Sequence, residues 1–111
     1  NTDQLDIQTI AEKSRALGES ARKGILKSAV AGTFSISNLG MFGVSRFLPI
    51  INPPEAAILS VGAIEERIVP MPGSSMGPRK IITLGLACDH RAVDGAEAAQ
   101  FLATLKKQLE Q

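Results

Sequence analysis

The sequence predicts an α+β domain in which helices pack on a mixed β-sheet. Helical spacing of apolar residues occurs near both ends of the 111-residue chain, over residues 1–24 and about 96–108. Between them, residues 33–38 alternate as a strand does, and two longer strand-like segments, 56–69 and 79–88, enclose a loop rich in proline and glycine. This length suffices for one small domain with a modest core.

The predicted helix 1–24 carries apolar residues on one face and charges on the other. The apolar set is Ile7, Ile10, Leu17 and Ala21. Asp3 is the predicted N-cap, because a carboxylate can accept free backbone N–H groups at a helix start. Gly24 is the predicted stop. The connector 24–32 carries no predicted site residue.

The strand 33–38 is predicted to present three hydroxyls on one face, those of Thr33, Ser35 and Ser37. In a half-buried strand such a face is either exposed to solvent or lines a polar channel. Gly40 and Gly43 then interrupt the strand and allow a close approach of the backbone. Their spacing is not that of a dinucleotide-binding loop.

The segment 46–54 is apolar, but Pro49, Pro53 and Pro54 exclude a long helix and a central strand there. An apolar loop needs a surface to cover, and one interpretation is a lid over the domain's own core. The segments 56–69 and 79–88 follow and are predicted to form an antiparallel pair around the turn-rich residues 70–78.

The second strand of this pair has two different faces. One is mostly small (Ile81, Thr83, Gly85 and Ala87) and is predicted to let a helix pack closely. Cys88, on the apolar face, is the only cysteine and cannot form an internal disulfide, which is consistent with a reducing compartment. It is interpreted as a small buried strand residue, with a reactive thiol as the alternative.

The stretch from Asp89 to Gly95 follows the last strand and contains the only histidine. A lone histidine at a strand end is usually structural or solvated. Here His90 has carboxylates and a guanidinium beside it, which is enough for a general base and the groups that hold it. Arg91 is interpreted as the partner of a nearby carboxylate. Asp94 is the predicted N-cap of the last helix, whose apolar stripe is Ala98, Phe101, Leu102, Leu105 and Leu109.

Composition argues against several classes of partner. The formal net charge is +1, Trp and Tyr are absent, and only four Phe are present, so a nucleic-acid platform is not indicated. No apolar run approaches the roughly 18–20 residues of a membrane span. No metal site is predicted.

Three blocks of sequence, in order, resemble a known family: Asp89-His90-Arg91-x-x-Asp94-Gly95, residues 32–43 and residues 50–59. Together they are similar to the acyltransferase components of the 2-oxo acid dehydrogenase complexes, and most like the acetyl-transferring members. The resemblance covers nearly the whole chain. It implies a chloramphenicol-acetyltransferase-like fold, of which residues 1–111 form the C-terminal half; the N-terminal half and the lipoyl and subunit-binding domains are then absent.

The resemblance also implies roles for three residues. His90 matches the general base, Ser37 the hydroxyl that stabilises the oxyanion, and Asp94 an acidic position that orders the histidine loop. Fifty-two residues lie between Ser37 and His90, and in the family the two meet across a trimer interface. The segment 46–54 would then be a subunit contact rather than a core lid, and both alternatives stay open.

The substrates and partners implied by the family are specific. An acyl group, acetyl by the resemblance, moves between coenzyme A and a lipoyl group carried on a separate domain. Trimers assemble into a cubic or dodecahedral core, which binds a 2-oxo acid decarboxylase and dihydrolipoamide dehydrogenase through the absent domains, in the bacterial cytoplasm or mitochondrial matrix. No nucleic-acid or membrane partner is implied. The alternative is a non-catalytic structural or tethering subunit, and the isolated 111-residue chain is expected to be inactive.

Overall fold

The computed structural model describes residues 2–25 and 32–110, which belong to two units, Asn1–Ala31 and Gly32–Gln111. The first unit contains a short 3-10 helix, Thr2–Gln4, and α1, Ile7–Arg22. The second contains β1 (Ser35–Asn38), a 3-10 turn (Gly40–Phe42), β2 (Ala57–Pro70), β3 (Met76–Cys88) and α2 (Gly95–Leu109). The predicted α+β class with a mixed sheet is confirmed. None of the described helices is both long and apolar enough to span a membrane.

Helix α1 begins later than predicted, and the predicted N-cap Asp3 is wrong. Asp3 lies inside the 3-10 turn, whereas Asp6 has an extended backbone and its Oδ1 accepts the N–H of Thr9 at 2.7 Å. Asp6 can do this because its carboxylate faces a free N–H of the first turn. The same hydrogen bond is the main reason why the pKa of Asp6 lies below its ordinary value.

Helix α1 ends at the predicted glycine. Gly24 has a φ of 70°, in the left-handed region that glycine adopts without steric cost. Its N–H donates to the Ala21 carbonyl at 3.0 Å, and the Ile25 N–H donates to the Ser20 carbonyl at 2.9 Å. These two bonds satisfy the last carbonyls of the helix, as in a Schellman motif. Most of the predicted connector, residues 26–31, lies outside the described residues.

The sheet has the order β1-β2-β3, with β1 parallel to β2 and β2 antiparallel to β3. The predicted pairing of the two long strands is therefore confirmed, with a bulge between Val61 and Ile64. Strand β1 begins at Ser35 rather than at residue 33, and Ser37 pairs with Ser60, which pairs with Gly85. The hydroxyl face of β1 is the half-buried one, whereas Ile36 on the other face is 68% exposed.

The core of the second unit is centred on the middle strand. Ile58, Leu59 and Ser60 are its most buried side chains. Helix α2 packs on β3, and three positions of the predicted stripe, Ala98, Leu102 and Leu105, are half-buried. The ring of Phe101 stacks at a tilt on Phe34, with the ring centroids 5.8 Å apart.

At Gly85, the small face of β3 lies against Ser60 and near the backbone of Phe47 rather than against the predicted helix. A Cβ at Gly85 would lie 2.6 Å from Ser60 Oγ and 4.0 Å from the Phe47 carbonyl oxygen. A Cβ at Gly62, on β2, would overlap the Ser45 carbonyl oxygen. The segment after β1 thus lies directly on the sheet because glycine leaves room for its backbone.

The apolar segment 46–54 has no regular structure, as its prolines predict. Leu48 is 96% exposed and Ile50 is 89% exposed, while Phe47 is half-buried. A lid over the domain's own core is therefore wrong for Leu48 and Ile50, because their side chains point into solvent. The predicted subunit contact of this segment stays a prediction.

We expect Gly62→Ala to destabilise the fold strongly, because the new methyl group would overlap the Ser45 carbonyl oxygen. Overpacking of this kind costs about 1–3 kcal/mol or more. The matched control is Gly95→Ala, whose Cβ would meet no atom within 4 Å. Chemical unfolding of both variants measures the difference; equal stability of the two would contradict the close approach.

Candidate active site

His90 lies in a turn that is anchored to the end of the sheet. The N–H of Asp89 donates to the Ala56 carbonyl at 2.8 Å and so continues the β2–β3 pairing past Cys88. The Asp89 carbonyl then accepts the N–H groups of Ala92 at 2.9 Å and Val93 at 3.0 Å. The turn is held by backbone on both sides, and the His90 side chain is exposed at its tip. An exposed imidazole on a fixed turn can reach a substrate proton.

Arg91 pairs with Asp89, as predicted. Its guanidinium donates from Nε to Oδ1 at 2.9 Å and from a terminal nitrogen to Oδ2 at 2.6 Å, and its backbone N–H donates to Oδ1 at 3.0 Å. These bonds lower the pKa of Asp89 to about 2, with the guanidinium contributing most. Because the Arg91 side chain is 90% exposed, solvent screens the pair, and its main effect is to fix the turn's shape.

Asp94 caps α2, as predicted. Its Oδ1 accepts the N–H groups of Ala96 at 2.8 Å and Glu97 at 2.9 Å. The Glu97 carboxylate in turn accepts the Asp94 N–H at 3.3 Å, which completes a capping box. The residue that ends the histidine turn is therefore also the residue that starts the helix, so the orientation of α2 and the path of the turn are coupled.

Ser37 lies near the end of β1, and the residues after it are held rigidly. Asn38 Oδ1 accepts the Gly40 N–H at 2.9 Å, and the Leu39 N–H donates to the Val61 carbonyl at 3.2 Å. A Cβ at Gly40 would lie 2.7 Å from the Gly62 carbonyl oxygen. Asn38 was not a predicted site residue, although the Asn-x-Gly spacing is typical of a side chain that closes such a turn.

Ser45 and Glu65 form a second support that sequence reasoning missed. The Ser45 hydroxyl donates to Glu65 Oε1, and Arg67 donates to Glu65 Oε2 at 2.6 Å. The hydrogen bond from Ser45 is the largest reason why the pKa of Glu65 is lowered. No local signal could have found this pair, because 20 residues separate its members.

Within one chain, Ser37 and His90 are not brought together. Ser37 shares a row of the sheet with Gly85, two strands away, and Cys88 is three residues further along β3. With about 4.8 Å between strands and 3.3 Å per residue, the Cα atoms of Ser37 and Cys88 are about 14 Å apart. His90 lies beyond Cys88.

The other candidate groups give no separate site. Cys88 is a free, half-buried thiol at the end of β3, so its predicted strand position is confirmed and its predicted burial is only partial. Within residues 2–25 and 32–110, no group of three or more His, Cys, Asp or Glu side chains could hold a metal ion.

Comparisons with known proteins show which family the chain resembles. The family of 2-oxoacid dehydrogenases acyltransferase (catalytic domain) matches residues 1–111. The mitochondrial acetyltransferase component of the pyruvate dehydrogenase complex of Schizosaccharomyces pombe is 46% identical and is matched over 99% of this chain and 24% of its own length. The succinyltransferase component of the 2-oxoglutarate dehydrogenase complex of Haemophilus influenzae is 41% identical over 97% of this chain and 27% of its own length.

Solved structures give the same result. Dihydrolipoamide acetyltransferase of Azotobacter vinelandii, studied for the catalytic roles of a serine, a histidine and an asparagine, superposes with a TM-score of 0.90 at 38% identity, over 98% of this chain and 45% of that one. The cubic core of a pyruvate dehydrogenase multienzyme complex also superposes at 0.90, with 37% identity over 98% and 45%. The chain thus spans about a quarter of the length of these curated relatives and under half of the length of the solved chains.

Asp94→Ala should destabilise α2 by about 0.5–2 kcal/mol, because the helix loses its N-cap, whereas Asp94→Asn should cost little, since Asn caps as well as Asp. The two variants separate the contribution of the N-cap hydrogen bonds to stability from the contribution of the negative charge. Chemical unfolding measures both, and equal losses would mean that the charge of Asp94, not its cap, holds the turn.

Proposed function

The chain belongs to the 2-oxoacid dehydrogenase acyltransferase (catalytic domain) family, and from that premise we propose that it is the C-terminal half of a catalytic domain that transfers an acyl group between dihydrolipoamide and coenzyme A. The observation that carries the proposal is the exposed His90 on a turn fixed by Asp89, Arg91 and Asp94. The matched share of the solved chains, 45%, supports the assignment to half a domain.

His90 is the proposed general base. Thioester exchange requires a thiol to lose its proton, and a free thiol has a pKa near 8.5. An imidazole with an ordinary pKa of about 6.5 is largely neutral at pH 7 and can accept that proton. The exposed position at the tip of the turn leaves the ring free to meet a thiol of coenzyme A or of the lipoyl group.

Ser37 is the proposed donor to the oxyanion of the tetrahedral intermediate. Its hydroxyl lies on the half-buried face of β1, and the turn closed by Asn38 fixes the strand end. The separation of about 14 Å between Ser37 and Cys88 supports a site shared between subunits, with the serine from one chain and the histidine from its neighbour. The exposed Leu48 and Ile50 supply apolar surface for such a contact.

Asp94 is proposed to order the histidine turn through the helix cap. In the Azotobacter vinelandii protein the asparagine follows the histidine by four residues, and 51 residues lie between the serine and the histidine. Here Asp94 follows His90 by four residues, and 52 lie between Ser37 and His90. Asparagine can make the same cap as aspartate, so the shared spacing supports a role that does not depend on charge.

The proposed assembly is a trimer that builds a larger hollow core, and the resemblance to a cubic core supports it. Coenzyme A and a lipoyl group on a separate domain are the proposed substrates. The proposed partners are a 2-oxo acid decarboxylase and dihydrolipoamide dehydrogenase, bound through domains outside this chain. Curated relatives include mitochondrial proteins and a Rickettsia bellii protein, and we place this one in the mitochondrial matrix or the bacterial cytoplasm.

Mixing two inactive variants tests the shared site. In the complete protein, His90→Asn should lower the rate about 10²–10⁴-fold by removing the base, and Ser37→Ala should lower kcat about 10²–10³-fold by removing one oxyanion donor. Trimers refolded from both variants contain some interfaces where His90 and Ser37 are intact, so they should recover part of the activity.

The control for this experiment is each variant refolded alone. If mixed oligomers form but regain no activity, the proposal of a site shared between two subunits is wrong. If His90→Asn retains full activity by itself, the general base is wrong; if the unmodified complete protein transfers no acyl group, a structural or tethering subunit is the better description of the protein.

We propose acetyl as the acyl group, because the stretches 37–43 and 50–54 are most like those of acetyl-transferring members. A succinyl-transferring relative is 41% identical, so overall sequence identity does not distinguish acetyl from succinyl as the acyl group. Rates of thiol release from acetyl-, succinyl- and isobutyryl-CoA by the complete protein test it, with the isolated 111-residue chain as the inactive control. Equal or faster use of succinyl-CoA would reject acetyl.

A further inference from the structure

Ser60 is the most buried polar residue in the described part of the chain, and the proposed reaction assigns it no role. It is 3% exposed and lies on β2, the middle strand of the sheet. Its hydroxyl donates to the Gly85 carbonyl at 3.3 Å, which is longer than the roughly 2.7–2.8 Å of a good O–H···O bond. Because burying a hydroxyl costs free energy unless it is well hydrogen-bonded, this long bond leaves part of that cost without compensation.

The strand register places Ser60 directly beside Ser37. Ser37 pairs with Ser60 in the parallel ladder, and Ser60 pairs with Gly85 in the antiparallel ladder. Paired residues project their side chains from the same face of a sheet, and neighbouring strands are about 4.8 Å apart. Hydroxyl side chains on neighbouring strands can hydrogen-bond each other across that spacing. The row therefore holds two adjacent hydroxyls and, at Gly85, a position without a side chain.

The two hydroxyls of this row differ in their access to a substrate. The backbone of Phe47 covers the inner end of the row, since its carbonyl oxygen would lie 4.0 Å from a Cβ at Gly85. Ser37 is half-buried on β1, at the edge of the sheet among the described residues. Ser60 is shielded from any substrate and can influence the reaction only through a neighbour, and its neighbour in the row is the proposed oxyanion donor.

The Ser60 hydroxyl can change its acceptor without a movement of the backbone. Its Oγ leans over Gly85, where a Cβ would be only 2.6 Å away, so the missing side chain makes this position possible. A serine side chain has three staggered positions for its oxygen. Because the bond to the Gly85 carbonyl is long, little is lost when the hydroxyl exchanges it for another acceptor.

We propose that Ser60 is a positioning residue for Ser37: its hydroxyl turns from the Gly85 carbonyl and donates to Ser37 Oγ while Ser37 donates to the oxyanion. This inference rests on the proposed role of Ser37 as the oxyanion donor. A hydroxyl that accepts one hydrogen bond becomes a stronger donor in the next, because consecutive hydrogen bonds polarise each other. Ser60 thereby fixes the direction of the Ser37 O–H bond and strengthens its contact with the oxyanion, and no proton is transferred.

A double-mutant cycle in the complete protein tests this inference. Ser60→Ala removes the inner hydroxyl and should lower kcat and kcat/KM equally, about 2–10-fold, with KM for acetyl-CoA unchanged, because the lost bond acts only in the transition state. In a Ser37→Ala background the same substitution should lower kcat no further, since the hydroxyl that it serves is already gone. A merely structural role of Ser60 would make the two losses multiply.

Ser35→Ala is the matched control, because Ser35 is half-buried on the same face of β1 but pairs with Ile58, which has no hydroxyl. Any loss of kcat in Ser35→Ala should multiply with the loss in Ser60→Ala. An unchanged kcat in Ser60→Ala, or the same loss with and without the Ser37 hydroxyl, overturns the inference. Full activity of Ser37→Ala is a different result, because it rejects the proposed oxyanion donor itself and this inference with it.

If Ser60→Ala does not assemble, Ser60→Cys decides. A thiol fills the site but is only a weak hydrogen-bond donor. Ser60→Cys should therefore lower kcat in the same range as Ser60→Ala, again with KM unchanged. A folded Ser60→Cys protein with unchanged kcat overturns the inference.

Discussion

The pairing of β2 with β3 is the interaction on which the rest of the second unit depends. It joins 12 residue pairs, from Ala57 with Cys88 to Pro70 with Met76. Strand β1 has only four residues and is held in place by β2, and the histidine turn is the direct continuation of β3. The positions of both candidate catalytic side chains therefore follow from one ladder. A slip of that ladder by one residue would turn every side chain to the opposite face.

Three glycines around the end of β1 make the close layering possible. Gly40, Gly62 and Gly85 all lie where a Cβ would meet backbone or a side-chain oxygen within 3 Å. The polypeptide after β1 can therefore lie against the sheet without a layer of side chains between them. Ser45 and Glu65 then hold that segment laterally. The end of β1 is therefore held by close backbone contacts, with few apolar side chains buried around it. In this way a small domain can fix the position of a polar residue such as Ser37.

Local patterns in the sequence predicted the elements whose signals are local. The helical stripe and the Asp94 cap predicted α2, and two β-rich segments around a Pro- and Gly-rich loop predicted the β2–β3 hairpin. Asp3 was the wrong cap because two carboxylates, three residues apart, both suit a helix start, and only the backbone geometry selects Asp6. The covering of the small face of β3 could not be predicted, because it depends on contacts between residues far apart in the chain. The likeness of three sequence blocks to a family, and not periodicity, indicated the candidate site.

The short parallel strand β1 occupies an edge of the sheet among the described residues. One row of its backbone donors and acceptors has no neighbour in that sheet, and Ile36 beside it is 68% exposed. An uncovered edge of this kind is a template for additional strands, including those of misfolded copies. The edge that carries Ser37 is therefore open to pairing with a further strand, and a strand added there would change the surroundings of Ser37 directly.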